Sequence, residues 1–241
     1  MNGSVAGTEN VGSPAAEELR HALGVRIAHW VNMAAFFGLL ASGIGILIAF
    51  PELHWGETGY PGKAPWLSFG IESNFDHTTW GRNVHFLCAW VFVINGLVYL
   101  LSGLLGRHFR TRLFPTRAQW HWRHIIADVR QHLTFKAPHG GPAHDYNFLQ
   151  KLSYLIVIFL LLPVMLLTGL TMSPGVTAAF PELFWMFGGR QSARTIHFLT
   201  ATLLVAFVLV HVWQVILTGA SAQIRAMITG RAPTVPEEEA V

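Results

Sequence analysis

Four long apolar runs constrain this chain more than any other feature of its sequence. They lie at about residues 25–50, 84–105, 149–171 and 196–217. Each is long enough, at about 20 residues, for an α-helix to cross about 30 Å of hydrocarbon. Charged residues make up only 12% of the chain and hydrophobic residues 52%, whereas soluble domains carry about 25% charged residues. The sequence therefore predicts an all-α integral membrane protein, a bundle of four transmembrane helices surrounded by lipid.

The charges between the runs predict the orientation of the bundle. The loop between the second and third runs is strongly basic, whereas the loop after the first run carries a cluster of acids. By the positive-inside rule, the basic loop and both termini face the cytoplasm. We therefore expect a membrane domain over residues 21–230, a disordered N-terminal tail over 1–20 and a C-terminal tail over 231–241.

Within the basic loop, the stretch RAQWHWRHIIADVRQHL is predicted to form an amphipathic helix at the membrane surface. Its histidines could instead bind a metal, but they show no compact ligand spacing. Cys88 is the single cysteine of the chain, which excludes an internal disulfide, an iron–sulfur site and covalently attached haem. The net charge of +3 is too small and too scattered to indicate binding of nucleic acid.

Four histidines fall within or at the edges of the apolar runs, where an ionisable side chain is costly and usually functional. His197 and His211 lie fourteen positions apart on the fourth run. This spacing separates them by about 21 Å along a helix and brings them within about 40° of the same face. His85 matches the depth of His197, and these two are named the outer pair. His29 matches the depth of His211, and these two are named the inner pair.

Two neutral imidazoles that face each other across a gap between helices suit a planar cofactor with two axial positions, such as low-spin haem. Two such pairs predict two haem b groups, one in each leaflet. Arg26, Arg82 and Arg194 lie at the same ends of the helices as the histidines. They could pair with haem propionates, or they could anchor the helices at the membrane interface.

Several motifs resemble one family. They are the HW dipeptide at His29, HFLCAWVFVINGLVYLLSG from His85, LLPVMLLTGLTMSP in the third run and FGGRQSARTIHF before the fourth. Together they resemble the bacterial di-haem cytochrome b subunits of formate dehydrogenase, Ni/Fe-hydrogenase and thiosulfate reductase, within the prokaryotic cytochrome b561-like family. The resemblance covers roughly residues 20 to 230. It places the chain in the bacterial inner membrane as a multi-pass protein.

The resemblance implies specific site residues. The axial haem ligands of the family correspond to His29, His85, His197 and His211. The quinone site of the family, for ubiquinone or menaquinone, corresponds to the stretch DYNFLQKLSY, where Asn147 and Tyr146 are the candidate contacts. Asn147 could equally cap the third helix.

The expected function is electron transfer between a periplasmic oxidoreductase partner and the quinone pool, through the outer and then the inner haem. FGGRQSARTIHF resembles family members that accompany molybdopterin-dependent partners, although a cytochrome or iron–sulfur carrier could also serve. Hydrogenase-type members usually have a fifth span, which this chain lacks, and the direction of electron flow stays open. One alternative is a quinol-oxidising cytochrome without a catalytic partner. A histidine-based metal or proton transporter is a second alternative, but the runs contain no acidic residue and no obvious repeat.

Overall fold

The computed structural model describes residues 17–57, 64–74, 76–105, 126 and 148–233. Its first two long helices are α1 (Leu23–Ala49) and α2 (Asp76–Leu105). The third span consists of α3 (Phe148–Ile156), a π-helical turn (Val157–Leu161) and α4 (Leu162–Thr171). Two short helices, α5 (Pro174–Ala179) and α6 (Pro181–Met186), precede the long α7 (Arg190–Leu217), and α8 (Ala220–Thr229) follows it.

The described part of the chain contains four helices that are long and apolar enough to cross a membrane. This confirms the prediction of a four-helix transmembrane bundle. Large apolar side chains such as Leu87, Trp90 and Leu209 are exposed along these helices, as hydrocarbon requires of a lipid-facing surface. α2 and α7 begin earlier than the apolar runs, at Asp76 and Arg190, because their first turns are too polar to show in hydropathy.

The spans associate as two helix pairs. α1 packs closely along α2, and α4 packs along α7. Small residues allow the close approach of α1 and α2: a Cβ on Gly38 would lie 2.5 Å from Cys88 Sγ, and one on Gly81 would lie 3.4 Å from Ser42 O. Among the described helices, neither member of the first pair makes extensive backbone contact with α4 or α7. The two pairs therefore leave a space between them.

The segment after α1 lies against the first turns of α7, at the end of the bundle predicted to face outward. Its alternate carbonyls face α7, as the two-residue period of extended chain requires. The carbonyls of Phe50 and Glu52 accept hydrogen bonds from the side chain of Arg194, at 2.9 Å for Glu52. The carbonyl of His54 accepts one from the hydroxyl of Thr195 at 2.7 Å. The carbonyl of Gly56 accepts the backbone N–H groups of Gln191 and Ser192, at 3.1 Å each. The two bonds to Gly56 satisfy backbone N–H groups that a helix N-terminus otherwise leaves without partners.

Two short antiparallel ribbons lie at opposite ends of the bundle. At the outer end, β2 (Glu52–Leu53) pairs with β3 (Leu67–Ser68). At the inner end, β1 (Glu17–Leu19) pairs with β4 (Arg231–Pro233). Residues 17–19 thus differ from the disordered tail expected there, because backbone partners come from a segment more than 200 residues away in sequence. Residues 1–16 and 234–241, and the basic loop's expected surface helix apart from Ile126, lie outside the described residues.

Gly189 at the start of α7 gives a test of the outer-end contacts. Its φ of 103° and ψ of 171° fall in a region that is essentially restricted to glycine. A Cβ there would lie 2.5 Å from Glu57 Cα and 2.6 Å from Gly56 O. We expect Gly189→Ala to lower the free energy of unfolding by about 1–3 kcal/mol or more, measured by thermal unfolding in detergent. The control is Gly175→Ala, where a Cβ meets nothing within 4 Å; equal effects of the two substitutions would contradict the account.

Candidate functional site

The structure brings the outer pair together across the space between the helix pairs. His85 comes from α2 and His197 from α7. Their ring centroids lie 6.3 Å apart, with the ring planes inclined by 58°. The two rings are therefore close enough to share one ligand.

A hydroxyl group on α1 holds the ring of His85. Ser42 Oγ lies 3.1 Å from His85 Nδ1 and 2.6 Å from the carbonyl of Gly38, one turn earlier in the same helix. The serine is fully buried. Because a hydroxyl has one proton, we assign that proton to the carbonyl, so that Ser42 Oγ accepts the hydrogen bond from Nδ1–H.

A hydroxyl group on α4 holds the ring of His197 in the same way. Thr168 Oγ1 lies 2.9 Å from His197 Nδ1 and 2.7 Å from the carbonyl of Val164. It is also fully buried. Both histidines of the outer pair are thereby held as the tautomer with the proton on Nδ1. This tautomer leaves the Nε2 lone pair available to a metal ion, and an orienting partner on the other nitrogen is typical of metal-binding histidines.

A glycine follows each of these hydroxyl residues. A Cβ on Gly43 would lie 3.6 Å from Cε1 of His85, and a Cβ on Gly169 would lie 3.5 Å from Cε1 of His197. Glycine therefore keeps the backbone of the neighbouring helix directly beside each ring. The two helix pairs thus share a local pattern, in which a Ser-Gly or Thr-Gly dipeptide on one helix faces a histidine on its partner.

The inner pair is arranged differently. His29 lies on α1 and His211 on α7, towards the end of the bundle opposite the outer pair. His29 Nδ1 is buried and forms no hydrogen bond with the described residues. The ring of Phe207 stacks on the ring of His211, with centroids 6.2 Å apart. The ring of Tyr154 on α3 packs edge-on against Phe207, with centroids 6.0 Å apart. His211 therefore has an aromatic neighbour, whereas hydroxyl groups hold the rings of the outer pair.

The predicted arginines have distinct surroundings. Arg194 donates to the carbonyls of Phe50 and Glu52, and Arg26 donates to the carbonyl of Ile228. Arg82 is exposed and makes no hydrogen bond or ion pair with the described residues. Two of the three arginines thus bind backbone carbonyls of remote segments, and a propionate role stays a prediction for all three.

The quinone candidates Asn147 and Tyr146 lie outside the described residues. The nearest described polar side chain is Lys151, one turn later, which is 6% exposed. The contacts of Ser42 and Thr168 with the histidines were not predicted from the sequence, where Ser42 was considered only as a small residue that could make room for a porphyrin. Their signal is the hydroxyl–glycine dipeptide, which occurs once in the first apolar run and once in the third.

The outer pair fits a planar cofactor with a central metal ion. A bond from a metal ion to an imidazole nitrogen is about 2.0–2.1 Å long, so two ligands on opposite sides place their nitrogens about 4 Å apart. Adding the ring radii gives a centroid separation of about 6 Å, which agrees with the 6.3 Å observed. Within the described part of the chain, no cluster of three or more metal-ligating side chains occurs. Two opposed imidazoles are therefore the donor set that this site offers.

Comparisons with known proteins agree with this arrangement. A family model described as prokaryotic cytochrome b561 matches residues 20–230. A putative protein-methionine-sulfoxide reductase subunit, YedZ1, of Azospira oryzae is 32% identical over 206 residues, which cover 86% of this chain and 93% of the relative. A probable Ni/Fe-hydrogenase B-type cytochrome subunit of Cupriavidus necator is 27% identical over 218 residues, which cover 86% of this chain and 83% of the relative. A second such subunit, of Bradyrhizobium diazoefficiens, is 24% identical over 218 residues, which cover 86% of this chain and 82% of the relative. The resemblance predicted from the motifs is confirmed.

The hydroxyl that holds His197 can be tested directly. Thr168→Val keeps the shape of the side chain but removes the acceptor for Nδ1–H. A buried donor without a partner costs about 1–3 kcal/mol, and we expect thermal unfolding in detergent to show a loss of this size. Thr171→Val is the matched control, because Thr171 is also on α4 and fully buried, and among the described residues its hydroxyl bonds only to the carbonyl of Leu167. Similar losses of unfolding free energy in the two variants would show that the hydrogen bond to His197 contributes no stability of its own.

Proposed function

The chain belongs to the prokaryotic cytochrome b561 family, and from this premise we propose that it is a di-haem electron-transfer subunit. It links an oxidoreductase partner to the quinone pool of the bacterial inner membrane. A cytochrome b binds haem b and transfers electrons, so the family itself assigns the type of cofactor. The observation that carries the proposal is the outer pair, in which two oriented imidazoles face each other at 6.3 Å.

The outer pair would hold one haem. Ser42 and Thr168 accept hydrogen bonds from Nδ1 of His85 and His197, so the Nε2 atoms of these two rings would be free to bind the iron. When bound, haem b supplies the one-electron redox chemistry, and the protein supplies ligands, orientation and a dry surrounding. Two imidazole ligands would suit such a haem to electron transfer rather than to binding a substrate.

The inner pair would hold the second haem. His211 lies fourteen residues after His197 on the continuous helix α7, so the two sites are separated by about 21 Å along that helix. His29 would supply the second ligand from α1, where its Nδ1 is buried. Helix α7 therefore offers one ligand to each site and fixes their separation.

A quinone site beside the inner pair is supported by the polar residues that begin the third span. Asn147 and Tyr146 are the proposed contacts, by their match to the motif of the family. Lys151 is almost fully buried one turn later, and Tyr154 reaches the inner pair through Phe207. Polar residues at the start of the third span, close to the inner pair, suit a ligand with a polar head group and an apolar tail.

The partner is proposed to be a periplasmic oxidoreductase subunit, of the molybdopterin type. The names of the three relatives support a partner of the oxidoreductase class, since each is a subunit of a reductase or a hydrogenase. The resemblance of FGGRQSARTIHF supports the molybdopterin type. Co-purification of a periplasmic subunit with the tagged protein tests this assignment, and isolation of the cytochrome alone from its native membrane would favour the rival, a stand-alone quinol-oxidising cytochrome.

The pairing of ligands predicts which haem each histidine variant loses. His85→Ala and His197→Ala should each remove the same haem, and His29→Ala and His211→Ala should each remove the other. The measurement is the haem content per purified chain, with an electron paramagnetic resonance spectrum to tell the two haems apart. The proposal is wrong if the His85 and His29 variants lose the same signal.

The quinone assignment predicts a loss of turnover without a loss of haem. In proteoliposomes, Asn147→Leu should slow the oxidation of the reduced cytochrome by a soluble quinone at least tenfold, because the polar contact to the quinone head group is removed. The haem content should stay at the level of the native protein. Asn83→Leu, at the opposite end of the bundle, is the control. An unchanged rate in the Asn147 variant would remove Asn147 from the quinone site.

A further inference from the structure

The C-terminal end of α8 is capped by side chains of another helix. The last four carbonyls of a helix have no partner within it. In α8, the carbonyl of Ala226 accepts the N–H of Gly230 at 2.8 Å, in the left-handed turn that ends the helix. The next two carbonyls accept hydrogen bonds from α1: Met227 O from Trp30 Nε1 at 3.2 Å, and Ile228 O from Arg26.

Further contacts hold the same two segments together. The carbonyl of Gly230 accepts the backbone N–H groups of Arg20 and His21, at 2.8 and 3.2 Å. A Cβ on Gly230 would lie only 2.8 Å from a guanidinium nitrogen of Arg26, so the approach is tight. The positive side chain also lies at the negative end of the dipole of α8. The start of α1 is therefore attached to the end of α8 along several residues.

The two capping residues lie on either side of His29 in sequence. Arg26 precedes His29 by three residues, and Trp30 follows it directly. The indole of Trp30 contacts the ring of His29 edge-on, with centroids 5.5 Å apart and planes at 90°. Trp30 therefore connects a carbonyl of α8 to the imidazole of the inner pair.

His29 lacks the support that the outer pair receives. Hydroxyl groups hold Nδ1 of His85 and His197, whereas Nδ1 of His29 has no hydrogen-bond partner among the described residues. Its helix is held on the opposite side by Asn95 of α2, whose amide donates to the carbonyl of Ala28 at 2.9 Å. The position of the His29 ring thus depends on how its helical turn is held between α2 and α8.

We propose that α8 is part of the inner haem site and that Trp30 is the residue through which it positions the His29 ring. Arg26 assists by fixing the same turn of α1 to the end of α8. This inference rests on the proposed function, since it assigns a role in holding the second haem. The outer pair makes no contact with this arrangement, so only the inner site depends on it.

The test uses the full-length chain in native-like lipid nanodiscs. Trp30→Phe keeps a ring against His29 and removes the N–H donor to Met227 O. Arg26→Met keeps a side chain of similar length and removes the donors to Ile228 O, and Arg26→Lys restores a cationic donor. Trp185→Phe, at an exposed tryptophan at the other end of the bundle, is the matched control. Haem content, the paramagnetic resonance spectrum and the midpoint potentials are measured for each variant.

We expect Trp30→Phe to shift the spectrum and potential of one haem, the same haem that His29→Ala removes. Arg26→Met combined with Trp30→Phe should lose this haem, lowering the content from two to one per chain, and Arg26→Lys should behave as the native protein. The inference is overturned if Trp30→Phe leaves both haems unchanged, or changes both equally. If the double variant is not recovered from membranes, the single Trp30→Phe variant decides. A native protein with fewer than two haems would instead contradict the proposed function.

Discussion

A polar nitrogen of an imidazole ring is costly to leave unpaired in hydrocarbon, because no water is available there. The outer pair satisfies this requirement in a way that leaves one nitrogen of each ring for a metal ion. Ser42 and Thr168 accept from Nδ1 of His85 and His197, and their own protons go to carbonyls of their own helices. The other features of the bundle agree with this arrangement. His85 and His197 are each held by a residue of the partner helix within their own helix pair. The two helix pairs stay apart where these two rings face each other.

The same requirement governs the backbone at both ends of the bundle. The N-terminus of α7 obtains its partner from the carbonyl of Gly56, and the C-terminus of α8 obtains partners from Trp30 and Arg26 of α1. Each contact joins segments that are far apart in sequence. Together they join the ends of α1, α7 and α8, and α1 and α7 carry three of the four histidines.

The sequence alone predicted the features that depend on apolar composition and on the spacing of residues along a helix. Four apolar runs predicted four helices, and the depth of the spans predicted that His85 and His197 would lie together. The pairing of His29 with His211 stays a prediction. The positions of Arg26 and Arg194 near the histidines were visible, but their carbonyl partners were not, because those carbonyls belong to segments more than 100 residues away. Ser42 and Thr168 resembled the small residues of ordinary helix packing, and only the contact with a ring on the neighbouring helix distinguishes them. The π-helical turn before Pro163 likewise has no sequence signal beyond the proline itself.

We propose that two opposed pairs of histidines hold two haem b groups in one chain. The most direct measurement is the haem content of the purified native protein, from its pyridine haemochrome spectrum and its protein concentration. The account predicts two b haems per chain, both with the low-spin paramagnetic resonance signals of two imidazole ligands. A content of one haem or none, or a high-spin signal from either haem in the intact protein, would contradict it.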